Sequence, residues 1–134
     1  MPPRAVHRIL GELDPQEAAR CYDEELRGVT IDLVVLGIGA DGHTASLFPN
    51  HEALEEEERL AVAVAGPDVA RVTLTPPPLR AAQHIMFLVV GEEKAEAVRR
   101  AFGAPPDPAT PASVIRGQRT TAILDRDAAA GLSG

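Results

Sequence analysis

The chain has 134 residues, a formal net charge of −7 and 45% hydrophobic residues, which fits one soluble domain over 1–134 with a core of its own. The acidic balance and 3% aromatic content argue against a nucleic-acid partner, which needs clustered cations and stacking platforms. A single cysteine, no apolar run near the roughly 18–20 residues that cross a bilayer, and no signal core after Met1-Pro2-Pro3-Arg4 point to the cytoplasm and away from membranes.

The first predicted element is a helix from Asp14 to about Arg27. Asp14 suits the N-cap, Pro15 the first turn, and Glu17 completes a capping-box pattern. Ala18, Tyr22 and Leu26 recur at helical spacing, and Gly28 supplies the stop. Cys21 falls on this helix as a small packing residue.

Thr30 to Leu36 is a β-branched and apolar run, expected as a strand buried on both faces of a parallel sheet. It feeds into Gly37-Ile38-Gly39-Ala40-Asp41-Gly42-His43, and a short helix is expected from Thr44 to Phe48, halted by Pro49 and Asn50. The acidic run Glu55 to Glu58 is expected to be solvated. Short strands follow at Leu60 to Ala65 and Val72 to Thr75. Pro76-Pro77-Pro78 should break the second, with a helical turn over Leu79 to Ala82.

Ile85 to Val90 is a second buried strand, ended by Gly91. Glu92 to Phe102 is an amphipathic helix with Ala95, Val98 and Phe102 inward and Glu96 and Arg100 placed to pair. A proline-rich loop from Gly103 to Pro111, a strand from Thr121 to Leu124 and a short helix from Asp127 to Leu132 complete the chain. Strands alternating with helices predict an α/β fold, an open and mostly parallel sheet with flanking helices.

The chemistry concentrates in the glycine turn. Gly37, Gly39 and Gly42 satisfy the G-x-G-x-x-G dinucleotide pattern, but that site needs a long helix after the third glycine, and Pro49 forbids one. His43 is a proton-transfer residue or a turn cap; Asp41 orients its imidazole or is an ordinary turn residue. With no Ser or Cys nucleophile beside it, His43 suits water activation or ring opening. Ser46 is expected to be a surface hydroxyl.

Lys94, the only lysine, opens the helix after the Ile85 strand. In a parallel sheet that puts it on the same edge as His43, as a phosphate anchor or as a solvated side chain. Arg71, at the start of a strand, is expected in a surface ion pair. His7, His51 and His84 make no ligand spacing, so no metal site is expected.

The stretch from Gly37 to Pro49 resembles the hallmark segment of 6-phosphogluconolactonases. Arg71 to Thr75, Gly91 to Ala95 and Pro111 to Ser113 resemble that family in its usual order, so the likeness runs from about Val6 to Asp127. The resemblance implies a Rossmann-like fold that hydrolyses a sugar-phosphate lactone, 6-phosphoglucono-1,5-lactone, in the oxidative pentose phosphate pathway, without metal or organic cofactor. It implies His43 as general base held by Asp41, with Gly39 and Gly42 at the substrate and Lys94 and Arg71 at the 6-phosphate.

Only the C-terminal part of that family is represented. Its Gly-Gly-x-Thr loop and later Asp-Glu-Arg stretch have no counterpart here. The missing N-terminal part would supply strands and much of the phosphate site. Its loss is expected to weaken or abolish activity and to leave a sheet edge or apolar face open to self-association. Two other readings stand beside this one. A glucosamine-6-phosphate deaminase or sugar-phosphate isomerase shares a Gly-Asp-Gly-His turn, but typically continues Ile-Ala-Phe-Asn-Glu-Pro rather than Thr44-Ala45-Ser46-Leu47-Phe48-Pro49. The other is a non-catalytic sugar-phosphate-binding fragment.

Overall fold

The computed structural model describes residues 1–117 and 119–132. Helix α1 spans Pro15–Leu26, and the Asp14 carboxylate caps it by accepting from the Gln16 and Glu17 N–H groups. Gly28 follows at φ +76°, a conformation that glycine adopts without strain.

Strand β1, Leu33–Leu36, lies parallel to β4, His84–Val89, which lies parallel to β5, Thr120–Leu124; the sheet order is β1-β4-β5. The register pairs Val34 with Ile85 and Leu36 with Phe87. Val34, Ile85, Phe87 and Val89 enter a core shared with Ala97, Val98 and Ala101 of α3, Ala95–Phe102, and with Ala112 and Ile115 of α4, Pro111–Ile115. Phe87 and Phe102 meet edge to face at 5.3 Å.

The opposite face of this sheet is open, which corrects the expectation of burial on both sides. Leu33, Val35, Leu88, Val90 and Ile123 are 46% to 61% exposed. Strand alternation sends these side chains away from the core, and among the described residues no layer covers them. β1 is also an edge strand, with one side unpaired among the described residues.

The two middle strands do not join this sheet. β2, Ala61–Ala65, and β3, Ala70–Leu74, form a separate antiparallel hairpin that packs under α1. Asp23 of α1 braces it by accepting the Leu60 N–H. The three prolines begin helix α2, Pro76–Ala81, instead of merely ending a strand, because proline fits the first helical turn.

Two predicted helices are absent. Between Thr44 and Phe48 the chain makes a tight turn: the Thr44 hydroxyl donates to the Gly37 carbonyl at 2.8 Å, and Ala45 takes φ +51°. Asp127 to Leu132 is a succession of turns started by Asp125, whose side chain accepts the Ala128 N–H. α4 is an additional short helix in the segment after the proline-rich loop.

Candidate active site

Parallel pairing of β1 and β4 brings the segments after Leu36 and Val89 to one edge of the sheet, at its carboxyl ends. From β1 comes a closed loop in which the Gly39 N–H donates to the His43 carbonyl and the Gly42 N–H to the Gly39 carbonyl, each at 2.9 Å. From β4 comes Gly91 at φ +106°, then a 3₁₀ turn, Glu92–Lys94, that leads into α3.

Asp41 holds His43 twice. Its Oδ1 accepts the His43 backbone N–H at 3.0 Å and lies 2.6 Å from Nδ1. Burial pushes the Asp41 carboxyl up, but the His43 backbone N–H and imidazole outweigh it, so its pKa sits below the ordinary value. An ionised Asp41 can only accept, so Nδ1 carries a proton, and in the neutral imidazole the lone pair is on Nε2. The His43 side chain is 35% exposed and borders an open cavity. Phe48 packs against the ring at 5.1 Å between centroids, fixing its tilt. Sequence periodicity had given no role to Phe48.

Gly39 is required by close approach. A Cβ there would overlap the His43 ring and stand 2.8 Å from Asp41 Oδ1. Gly42, at φ +91°, faces inward: a Cβ there would meet the Thr110 side chain at 2.9 Å.

Leu36, Gly37, Gly39, His43, Thr44 and Lys94 line an open cavity of about 420 Å³. Lys94 Nζ donates to the Ile38 carbonyl at 2.8 Å. No carboxylate pairs with it among the described residues, which leaves ammonium donors for an anion. Arg71 does not line this cavity; it pairs with Asp68 at 3.1 Å on the hairpin. Two residues along β3, Thr73 accepts the Ser46 N–H at 3.1 Å and so ties the hairpin to the loop after His43. The structure therefore gathers Asp41, His43, Gly39 and Lys94, sets Gly42 behind them and leaves Arg71 outside.

The described residues hold no cluster of three or more His, Cys, Asp or Glu able to bind a metal. Nor do they include a helix long and apolar enough to cross a membrane.

An acid–histidine pair and a lysine at the carboxyl edge of a parallel sheet define an α/β protein with a candidate proton-transfer site, and comparison identifies its family. The family model for glucosamine-6-phosphate isomerases/6-phosphogluconolactonase matches residues 1–124, and the chain belongs to that family. A 6-phosphogluconolactonase of Streptomyces coelicolor is 36% identical, over 97% of this chain and 57% of its own length. One of Rattus norvegicus is 39% identical, over 99% and 56%. The solved structure of devB protein superimposes with a TM-score of 0.86 at 36% identity, over 99% of this chain and 61% of that one. The chain thus spans about half the length of the curated relatives it matches.

Proposed function

We propose that this chain carries the proton-transfer part of a 6-phosphogluconolactonase and opens 6-phosphoglucono-1,5-lactone to 6-phosphogluconate. The observation that carries this reading is that His43, oriented by Asp41, and Lys94 line one open cavity. The curated relatives named above are lactonases, which favours hydrolysis over isomerisation.

In the proposed reaction His43 Nε2 takes a proton from water as the water oxygen bonds to the lactone carbonyl carbon. The tetrahedral intermediate then collapses, the bond from that carbon to the ring oxygen breaks, and the imidazolium returns its proton to the departing oxygen. Asp41 stabilises the imidazolium and holds the tautomer. Lys94 takes the 6-phosphate, and Gly39 gives room for the ring and the substrate. Gly42 shapes the turn from behind. Arg71, the second proposed phosphate ligand, would have to leave Asp68 to serve.

The test is lactone opening by the purified chain, with spontaneous opening subtracted, beside ammonia release from glucosamine 6-phosphate. Accelerated opening without ammonia is expected. Binding of 6-phosphogluconate without acceleration would make the chain a binding fragment, and ammonia release would make it a deaminase.

We also propose the cytoplasm as its compartment, on the single Cys21, and self-association through the open sheet face. Sedimentation velocity should show assembly that rises with concentration and weakens in Val35→Glu. A monomer at every concentration would refute it.

A further inference from the structure

We propose that Thr110, with its rotamer set by Arg100, is a positioning residue for His43. The turn that presents His43 closes on itself through the Gly39 and Gly42 N–H groups, but those bonds leave its outward tilt to whatever packs behind Gly42. Gly42 sits at φ +91°, a conformation favoured by glycine and otherwise free to relax, and the Asp41 side chain is half exposed. What fixes the turn lies behind it. The Gly42 carbonyl accepts the Ala112 N–H at 3.1 Å. Thr110 occupies the space that a side chain at Gly42 would need, its Cγ2 being 2.9 Å and its Cα 3.3 Å from that point.

Thr110 is itself held firmly. It is 2% exposed. Its N–H donates to the Asp107 carbonyl at 2.8 Å, and its carbonyl accepts the Ser113 hydroxyl at 2.7 Å. Arg100 Nη1 donates to its Oγ1 at 3.3 Å. That last bond decides orientation. Rotation about χ1 would bring the hydroxyl or the Cβ hydrogen to where the methyl stands; Arg100 keeps the hydroxyl toward α3 and the methyl against Gly42. Neither Arg100 nor Thr110 lines the cavity, so each acts through the turn. Losing the methyl would leave a gap behind Gly42 and loosen the grip of Asp41 on Nδ1.

The consequence for rate rests on the function proposed above; the consequence for geometry does not. The experiment therefore follows the His43 Nδ1–H by NMR as well as lactone turnover. Thr110→Ser, which removes the methyl, should speed Nδ1–H exchange with solvent and lower kcat about ten- to a hundredfold with KM little changed. Thr110→Val, branched alike on both positions, is the conservative rescue. Arg100→Met should act in the same direction as Thr110→Ser, and its effect should vanish when combined with Thr110→Val. Altered Nδ1–H exchange in Thr110→Ser supports the clamp even if no form of the chain turns over lactone, in which case it is the catalytic reading that fails. A folded Thr110→Ser with unchanged Nδ1–H exchange overturns the clamp, as does an Arg100→Met effect that persists in the Thr110→Val background.

Discussion

Replacing Gly39 by alanine should separate the positioning of His43 from the folding of the chain. Gly39 is not at positive φ, so the backbone accepts alanine. The added methyl would instead overlap the His43 ring and approach Asp41 Oδ1 to 2.8 Å. The ring must move by roughly an ångström or more to regain ordinary contact. It can do so, because it is partly exposed and borders open space, but the move breaks the 2.6 Å Nδ1 contact with Asp41. Overpacking relieved in this way should cost about 1 kcal/mol of stability, the lower end for small-to-large changes. An ångström of misplacement at a reacting group costs about 100-fold in rate. The assays are urea unfolding and lactone hydrolysis corrected for spontaneous opening, with Gly11→Ala, whose methyl meets nothing within 4 Å, as reference. A Gly39→Ala chain that hydrolyses lactone like the reference would refute the claim that this glycine makes room for a catalytic ring.

Lys94→Ala should raise KM for the lactone about ten- to a hundredfold, the value of one lost charge-assisted hydrogen bond; a fall in kcat alone would contradict phosphate anchoring. The Asp41 carboxyl, held down by the His43 N–H and imidazole, should titrate below its ordinary 3.8 in a carbon-13 NMR series. Because its folded pKa is depressed, its contribution is present above that value and is lost as pH falls through the folded pKa; titration above 3.8 would contradict the pairing. Asp23→Ala strands the Leu60 N–H and frees Arg27, and should cost about 1–3 kcal/mol in urea unfolding at unchanged slope. A change of a few tenths would mean that α1 is not braced to the hairpin through this carboxylate.

The parts of this molecule legible in its sequence are those with local causes. The cap at Asp14 and the stop at Gly28 bound α1 almost to the residue. The glycine turn after β1 and the lysine opening the segment after β4 could be placed together because parallel strands end on one edge. What depended on distant partners was not legible. Nothing local shows that β2 and β3 pair with each other apart from the main sheet. Thr44 to Phe48 fits a short helix between the glycine turn and Pro49, but a hydroxyl bond back to Gly37 turns the chain instead. α4 is only five residues, too short for a periodic signal, and is buried by tertiary packing. The backing of Gly42 by Thr110 spans a separation no sequence pattern marks. The burial expected on both faces of β1 followed from its continuous apolar run; that run describes a sheet with two covered faces, and the described residues cover one.

The most direct measurement compares lactone hydrolysis by the chain and by His43→Gln, at equal folded concentration and with spontaneous opening subtracted. A general base at Nε2 predicts a fall of about 10²–10⁴ in kcat. Equal corrected rates would contradict proton transfer by His43.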